Sequence, residues 1–349
     1  MKKKLWMIYI VLAAALVCAL RAGYAAEEIT LPVGFVPNVQ FAPLYVAVEK
    51  GFFADEDLSV TLDHNMEIDT VALVGAGSIP FGICSGEQVL LGRNQGLPLV
   101  YIAEWYRRYP VGIVSLAEKG LTTVKALKGK KVGIPALSGA SYIGLEALLQ
   151  EAGMRDQDLA LEAVGYAQVE LLTTDALDAC VVYTTNEPVQ LEALGAQVHL
   201  IRVADSAEMV SNGLITNEAV IRENPALVER MTRAFLRGIQ YTLDHPEEAY
   251  QICLQRIENL KDVADQELQK RVLEETMKLY AADGRIKTIS FESAGTLDFD
   301  VDIKIGVDNN PTILAEGGSV SMPISFKVPK AQTNEAKQII HLVKKYYLI

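Results

Sequence analysis

Hydrophobic and polar positions alternate along most of this chain in a way that predicts buried strands, each followed by an amphipathic helix. The clearest unit lies near the beginning, with a strand at 31–35, a turn at 37–40 and a helix from Phe41. The apolar positions of that helix recur at i, i+3, i+4 and i+7. Pro43 fits its first turn and Gly51 fits its end. This unit points a helix N-terminus into the crevice at the end of a strand, where open α/β sheets bind ligands.

The same alternation continues to about residue 285 and predicts a mainly parallel sheet in each of two lobes. Segments near 111–115 and 211–216 are interpreted as crossings between the lobes, so a hinged cleft is expected. The first lobe is predicted to comprise residues 26–112 and 214–290, and the second residues 113–213. Further strands are predicted at 58–62, 79–84, 99–104, 129–134, 159–164, 179–183 and 198–202, and long helices from Pro225 and Pro246.

The last part of the chain, residues 291–349, has a different pattern. Apolar residues alternate strictly at 297–307 and again at 320–328, with turn residues at 308–311 between them. The pattern predicts an antiparallel β-hairpin, followed by a closing helix at 333–348. Asp298, Asp300 and Asp302 share one face of the first strand; they either bind calcium or are simply solvated, and solvation is the preferred interpretation.

Residues 1–25 are predicted to be a secretory signal peptide. Three lysines precede an apolar run at 5–20, and small residues stand at −3 and −1 of a cut after Ala25. A retained membrane anchor and lipidation of Cys18 are the alternatives. Three cysteines remain after cleavage, without the spacing of a metal site or a disulfide framework, so buried thiols are expected.

The charge of the chain argues against two classes of partner. The net charge is −12, and removal of the four basic residues of the signal region makes it −16. Such acidity is unfavourable for binding to nucleic acid or to an anionic membrane surface. It suits an exported carrier of a small molecule, which we expect to be a monomer.

Three segments resemble one transporter family. They are Phe35-x-Pro37-Asn38, Ala42-Pro43-Leu44-Tyr45-Val46-Ala47 and Glu49-Lys50-Gly51-Phe52-Phe53. They are similar to the opening of the periplasmic solute-binding proteins of ABC importers for thiamine-pyrimidine precursors, sulfonates, nitrate and taurine. The resemblance extends to about residue 285 and is strongest to the branch that carries pyrimidine precursors or riboflavin.

The resemblance implies a two-lobed α/β periplasmic-binding-protein fold of type II, with an ABC permease and its ATPase as partners. Two departures are visible. The family commonly has Glu-Gly-Leu where this chain has Glu56-Asp57-Leu58, and it usually closes with a tryptophan-bearing helical segment that is absent here. Asp tolerates the left-handed backbone moderately well, so the first departure leaves the fold intact.

Side chains at the strand ends and helix starts are expected to surround the ligand. Aromatic faces suit a flat ring, whereas amides and carboxylates suit its polar edge. Trp105, Tyr106, Tyr142 and Tyr183 are candidates for stacking on the ring. The candidates for its edge are Asn38, Gln40, Glu87, Glu187 and Asn212, and the remaining candidates are Phe41, Tyr45, Ser85, Ser138, Gly139, Ser141, Tyr166, Gln168 and Asn186.

Three other functions are weighed against a carrier of planar N-heteroaromatic vitamins. An anion carrier would use 138–141 at a helix N-terminus, helped by Arg107 or Arg108, but Glu87 and Glu187 would repel an anion. The family also includes an enzyme that makes the thiamine pyrimidine from its own histidine and pyridoxal phosphate; its cysteine-rich motif is missing here. A sensor would share every feature of the cleft. We therefore expect no catalysis, no cofactor and no metal.

Overall fold

The computed structural model describes residues 26–64, 67–207, 209–258, 260–262 and 266–280, together with three short strands at 289–291, 303–305 and 323–324. The predicted signal peptide at 1–25 and the predicted closing helix at 333–348 lie outside the described residues. Within these residues no helix has the length and apolar character needed to cross a membrane.

The chain begins with the predicted strand–turn–helix unit. Strand β1 (Glu27–Pro32) is followed by a 3-10 helix (Val39–Phe41) and helix α1 (Ala42–Glu49). Strand β1 pairs in parallel with β2 (Leu58–Asp63). The strand prediction at 31–35 was therefore placed too late. The ladder ends at Pro32, and Gly34 has a φ of 80° that turns the chain away from the sheet.

Helix α2 (Glu67–Gly75), strand β3 (Gly82–Ser85), helix α3 (Gly86–Asn94) and strand β4 (Leu99–Glu104) complete the first pass through this part of the molecule. The boundaries of β4 are those that the apolar run predicted. Every residue of β3 and all but the last residue of β4 are buried, as expected for strands covered on both faces.

The next elements along the chain are β5 (Val111–Leu116), β6 (Lys131–Ile134), α4 (Gly139–Glu151), β7 (Ala160–Ala163), α5 (Gln168–Thr173), β8 (Ala179–Tyr183), α6 (Glu187–Ala193) and β9 (Val198–Arg202). Their strands form a five-stranded sheet in the order β7-β6-β8-β5-β9. Strand β6 is parallel to β7 and β8, whereas β5 is antiparallel to β8 and β9.

The chain then returns to the first half of the molecule. Strand β10 (Asn212–Asn217) inserts between β3 and β4 and is antiparallel to both. The first half holds the β1–β2 pair and a three-stranded sheet in the order β3-β10-β4, whereas the second half holds the five-stranded sheet. Helices α7 (Glu218–Glu223), α8 (Pro225–Asp244), α9 (Pro246–Arg256) and α10 (Gln266–Met277) follow. Helix α8 packs closely on α1: a Cβ at Gly238 would lie 2.3 Å from the carbonyl oxygen of Pro43.

The prediction of mainly parallel sheets was wrong for β5 and β10. Each of these strands enters its sheet from the other half of the molecule, through residues 105–110 and 203–211 respectively. A parallel arrangement is imposed by a crossover helix within one sheet, and neither strand is reached through one. The predicted lobe limits, 26–112 with 214–290 and 113–213, stay a prediction.

The tail strands β11 (Ile289–Phe291), β12 (Ile303–Ile305) and β13 (Pro323–Ile324) form a small antiparallel sheet with β12 in the centre. Strands β12 and β13 come from the two segments of the predicted hairpin. Strand β11 was not predicted, and it lies next to β4. Asp298, Asp300 and Asp302 lie outside the described residues.

Candidate functional site

A cavity of about 930 Å3, part of it open to solvent, lies where the two halves of the molecule meet. Its walls come from the ends of β1, β4, β6 and β8, the starts of α4, α5 and α6, and the first residue of β10. The lining residues are Val33, Gly34, Phe35, Gln40, Phe41, Ile83, Trp105, Tyr106, Pro135, Ala136, Ser138, Gly139, Ala140, Ser141, Tyr166, Gln168, Tyr183, Asn186, Glu187 and Asn212.

One wall is a rigid group of aromatic side chains. The ring of Trp105 lies 5.2 Å from that of Tyr106 and 5.9 Å from that of Phe41, measured between centroids. Tyr106 stacks on Tyr280 at 5.6 Å with an interplanar angle of 10°. Trp105 and Tyr106 are only 1% and 3% exposed. These rings therefore offer a small, fixed apolar surface to the cavity, because neighbouring aromatics cover most of each ring.

The two halves also meet across the cavity through Phe35 and Tyr166. Phe35 follows β1, and Tyr166 follows β7 in the other half. Their rings make an edge-to-face contact with centroids 4.7 Å apart and planes at 81°. Tyr166 is 46% exposed, so this pair stands where the cavity borders solvent.

Polar groups are concentrated at the turn between β8 and α6. The carboxylate of Glu187 accepts hydrogen bonds from the backbone N–H of Tyr183 at 3.0 Å and from the side-chain amide of Asn186 at 2.9 Å. The Tyr183 hydroxyl accepts a hydrogen bond from Asn212 Nδ2 at 3.3 Å. Burial raises the pKa of Glu187, which is only 7% exposed.

Behind these groups, a hydrogen-bonded chain joins the two halves. The side-chain amide of Gln40 donates to Thr185 Oγ1 at 2.9 Å, and the hydroxyls of Thr185 and Thr276 lie 3.1 Å apart. The hydroxyl of Tyr280 donates to the carbonyl of Gln40 at 3.1 Å. Because Thr185 belongs to the turn that carries Glu187, these contacts fix the position of the only carboxylate among the described lining residues.

The electrostatic character of the cavity is unusual for an anion site. None of the described lining residues is Lys, Arg or His. The two arginines that might have assisted an anion are engaged elsewhere: Arg107 pairs with Glu104 at 3.5 Å and Arg108 with Asp205 at 2.7 Å. The donors available to an anion include the backbone and hydroxyls of 138–141 at the start of α4, where Ser138 makes no side-chain capping bond. The buried indole N–H of Trp105, which has no partner among the described residues, is another.

Most of the predicted site residues line this cavity. The structure brings together Gln40, Phe41, Trp105, Tyr106, Ser138, Gly139, Ser141, Tyr166, Gln168, Tyr183, Asn186, Glu187 and Asn212. Lining a cavity places a side chain near a ligand site but does not test binding, so each role stays a prediction.

Five predicted residues do not line it, and each has a local contact. Asn38 accepts the N–H of Gln40 at 2.9 Å, Ser85 accepts from Gln88 at 2.9 Å, and Glu87 accepts from the hydroxyl of Tyr109. Tyr45 lies 3.4 Å from His64 Nε2, and Tyr142 donates to Asp156 at 3.2 Å beside a separate concavity. The electrostatic argument against an anion therefore rests on Glu187, without Glu87.

The lining residues that the sequence analysis did not predict are mostly apolar. They are Val33, Gly34, Phe35, Ile83, Pro135, Ala136 and Ala140. Those at 33–35 and 135–136 directly follow β1 and β6, and the carboxyl ends of these strands were a usable signal. Selecting only polar and aromatic side chains removed most of them. Ile83 carries no such signal, whereas Ala140 lies within 138–141, the helix start that the sequence analysis considered for an anion.

Neither a metal site nor a reactive thiol accompanies the cavity. The described residues contain no group of three or more His, Cys, Asp or Glu placed to hold a metal ion. Cys84, Cys180 and Cys253 are buried, as predicted, and none lines the cavity. Burial raises the pKa of the Cys180 and Cys253 thiols to about 12, so these two are poor nucleophiles at neutral pH.

Comparison with known proteins supports the predicted resemblance. The riboflavin-binding protein RibY of Chloroflexus aurantiacus is 34% identical over 310 residues, covering 84% of this chain and 87% of the relative. A 4-amino-5-hydroxymethyl-2-methylpyrimidine phosphate synthase of Legionella pneumophila is 26% identical, covering 71% of this chain and 79% of that enzyme.

Solved structures confirm the predicted two-lobed fold. The alkanesulfonate-binding protein SsuA of Xanthomonas axonopodis superposes with a TM-score of 0.58 at 15% identity, covering 73% of this chain and 86% of that chain. At such identity the likeness concerns the periplasmic-binding-protein fold alone. The sequence model of the family described as "NMT1/THI5 like" matches residues 38–249 of this chain. The chain therefore belongs to the NMT1/THI5-like family.

Proposed function

We propose that this protein is the extracytoplasmic solute-binding component of an ABC import system and captures a planar N-heteroaromatic vitamin or vitamin precursor. The observation that carries the proposal is the composition of the cavity: aromatic rings, amides and one buried carboxylate, with no cationic side chain among the described lining residues. A flat ring can lie against aromatic surfaces, while its N–H or amino groups donate to the carboxylate and the amide oxygens.

The names of relatives support the same ligand class. RibY of Chloroflexus aurantiacus is named for riboflavin, and the Legionella enzyme is named for a thiamine-type pyrimidine. Both are planar N-heterocycles, although they differ in size. A riboflavin ring or a pyrimidine precursor is therefore the proposed ligand, with the choice between them open to measurement.

A sulfonate, taurine or nitrate anion is the second candidate. One observation favours it: residues 138–141 line the cavity at the start of α4, a 13-residue helix whose N-terminal N–H groups and dipole attract negative charge. Glu187 opposes it, because a buried carboxylate and a bound anion repel each other and only one of them can be ionised without a large cost. The heterocycle is the better fit.

Binding without catalysis is part of the proposal. Synthases occur among the relatives at lower identity than RibY. In this chain His64, the histidine closest to a predicted strand end, contacts the carbonyl of Phe35 and the hydroxyl of Tyr45, and it is not a lining residue. An absorbance band of bound pyridoxal phosphate in the purified protein would overturn this part of the proposal.

In the proposed cycle, the ligand enters between the lobes, the lobes close about the crossing segments, and an ABC permease with its ATPase receives the ligand. Affinity comes from burial between aromatic groups and specificity from hydrogen bonds at the ring edge. Export through the segment at 1–25 belongs to the same proposal. A sensor would share the cleft, and a neighbouring permease gene rather than a kinase gene would favour transport.

Calorimetric titration of the purified mature chain tests the proposal. The panel contains riboflavin, hydroxymethyl- and formylaminopyrimidine, thiamine, taurine and nitrate. We expect one heterocycle to bind tightly and the two anions to bind weakly or not at all. Tight binding of taurine or nitrate, with no heterocycle bound, would refute the proposal and establish the anion candidate.

A further inference from the structure

Asn212 occupies a fixed position on the cavity wall. It is the first residue of β10, and its carbonyl oxygen accepts the backbone N–H of Trp105 at 3.0 Å and that of Tyr106 at 3.1 Å. Its side chain lines the cavity and is only 9% exposed. The backbone contacts tie the main chain of Asn212 to the aromatic wall and so fix the position of its Cα beside the ligand space.

The two ends of the Asn212 amide differ in their contacts. Its Nδ2 donates to the hydroxyl of Tyr183 at 3.3 Å, a contact that crosses from one half of the molecule to the other. Its Oδ1 is buried and has no hydrogen-bond partner among the described residues. A buried acceptor without a protein partner is costly, so Oδ1 calls for a partner such as a bound ligand or a water molecule.

The polar groups around Asn212 are hydrogen-bonded within the protein, and Asn186 Oδ1, for instance, accepts from Gln190 Nε2 at 3.0 Å. Glu187 presents a carboxylate, and the amides of Gln40 and Asn186 each direct an N–H to a protein acceptor, Thr185 and Glu187 respectively. Asn212 does the same toward Tyr183. The N–H groups of these three amides point into the protein, and no cationic side chain is among the described lining residues, so the amide oxygen of Asn212 is complementary to a ligand edge that donates. Trp105 Nε1 is the exception among the donors: it is a buried N–H without a hydrogen-bond partner among the described residues.

We propose that Asn212 Oδ1 accepts a hydrogen bond from a ring N–H or amino group of the ligand and thereby determines specificity. The inference rests on the proposed function and refines it. The ligand class becomes heterocycles with a donor on one edge, either a lactam or imide N–H or an exocyclic amine. Analogues with that donor alkylated are rejected, because they leave Oδ1 buried and unpartnered.

The experiment is a double-mutant cycle between the protein and the ligand. Two ligand pairs are titrated: riboflavin with 3-methylriboflavin, and 4-amino-5-hydroxymethyl-2-methylpyrimidine with its 4-dimethylamino analogue. The pair whose parent binds the wild-type chain is then titrated against Asn212→Leu and Asn212→Asp. Leucine removes both polar ends at similar size, whereas aspartate keeps an acceptor oxygen at the Oδ1 position. Circular dichroism and thermal melting verify that each variant is folded.

Asn217, at the other end of β10, supplies the matched control. It is also buried, and it donates to the carbonyl of Val74 at 2.9 Å within the first half of the molecule. Asn217→Leu removes a buried amide from the same strand. We expect it to lower the melting temperature without changing the preference for the parent ligand over the alkylated one.

In the wild-type chain the alkylated analogue is expected to bind about tenfold or more weakly than the parent, the size expected for one lost hydrogen bond in a buried site. Asn212→Leu should weaken binding of the parent ligand by a similar factor and reduce the preference for the parent over the alkylated analogue to about threefold or less. Asn212→Asp should retain parent affinity within about threefold.

Two results would overturn the inference while leaving the proposed function intact. One is an unchanged preference in Asn212→Leu; the other is a loss in Asn212→Asp as large as in Asn212→Leu, which would mean that the amide N–H faces the ligand. Binding of taurine or nitrate with neither parent bound would instead refute the proposed function, and the inference with it.

Discussion

Asp57 illustrates how a single residue departs from the family pattern without changing the fold. It stands where the family commonly has glycine, and its φ of 54° and ψ of 36° place it in the left-handed region. Asp tolerates this region better than most residues because its short side chain can interact locally with the backbone. The sequence interpretation at this position is therefore confirmed.

Replacing Asp57 tests the cost of that conformation. Asp57→Gly is expected to raise the free energy of unfolding by about 0.5–1 kcal/mol, because glycine has no Cβ to strain in the left-handed region. Asp57→Ala should lower it by a similar amount. Urea denaturation of the wild type and the two variants measures the order of their free energies of unfolding. Equal stability of Asp57→Ala and Asp57→Gly would mean that the backbone at this position is not strained.

The residue scale also shows why chemically identical side chains differ in role. Glu87 and Glu187 each stand at the start of a helix that follows a strand. Glu187 faces the cavity, whereas Glu87 lies at the Tyr109 hydroxyl, whose single proton is shared between that carboxylate and the carbonyl of Ala140 at 2.8 Å. Position after a strand is therefore not sufficient for a place in the site.

At the scale of elements, α4 carries a half-buried acid, Glu146. Burial, with a smaller contribution from the charge of Asp156, raises the pKa of Glu146 to about 7. Its Oε1 is buried and has no hydrogen-bond partner among the described residues. Below this pH the carboxyl is neutral in the folded chain, and above it a charge is held in a poorly solvated place.

The folded state should consequently lose stability as the pH rises. Between the ordinary glutamate pKa of about 4.5 and the raised value of about 7, the folded chain binds a proton that the unfolded chain has lost. The free energy of unfolding therefore falls across this window and no further above it.

Glu146→Gln should remove that loss. We expect the difference in free energy of unfolding between this variant and the wild type to be larger at pH 8 than at pH 5, in favour of the variant, by on the order of 1–2 kcal/mol. This is less than the full pKa shift implies, because the side chain is partly exposed. Urea denaturation at both pH values measures it. Glu151→Gln, at an exposed position of the same helix, is the control, and an equal gain there would exclude Glu146 as the cause.

At the scale of the whole molecule, Thr185 joins the halves behind the cavity. It accepts from Gln40 and lies against Thr276 of α10, and α10 itself packs against the 3-10 helix and α6. All three side chains are buried. These contacts hold the turn that carries Glu187 against the first half, so they favour the arrangement in which the cavity is enclosed.

Thr185→Val keeps the shape of the side chain and removes its hydroxyl. We expect about a five- to tenfold loss of affinity for the ligand that the calorimetric panel identifies, the size of one lost buried hydrogen bond, and a larger radius of gyration of the ligand-free protein. Calorimetry and small-angle X-ray scattering measure these two quantities.

Thr216→Val is the matched control for this substitution. Thr216 is equally buried, but its hydroxyl donates to the carbonyl of Pro80 at 2.7 Å within the first half. It should lose stability without a change in affinity or radius of gyration. The same changes in both variants would mean that Thr185 acts through general stability rather than through contact between the halves.

The tail belongs to the same scale. We expect truncation at Ser290 to leave ligand binding nearly intact, because no described lining residue lies beyond Asn212. Calorimetry and circular dichroism of the truncated chain measure the outcome. Loss of the folded state would show that the tail, whose strand β11 lies next to β4, replaces the closing helical segment of the family.

The sequence by itself determined the elements and the type of fold. Strands β4, β8 and β9 have the predicted limits. For β4 and β8 the reason is a continuous apolar run, which reports burial locally, whereas β9 contains His199 and Arg202 and is only partly buried. Helix starts at Pro225 and Pro246 were equally clear, since proline is favoured in the first turn. Alternation of such elements was enough for the two-lobed α/β class.

Only the tertiary structure decided strand direction and the membership of the site. Strands β5 and β10 are antiparallel because the chain enters each sheet from the other half, a long-range fact that no local pattern contains. Likewise, Tyr106 and Tyr142 are similar in sequence terms, yet one lines the cavity and the other turns to Asp156. Which side chain faces a cavity depends on partners distant along the chain, and hydrophobic periodicity carries no information about them.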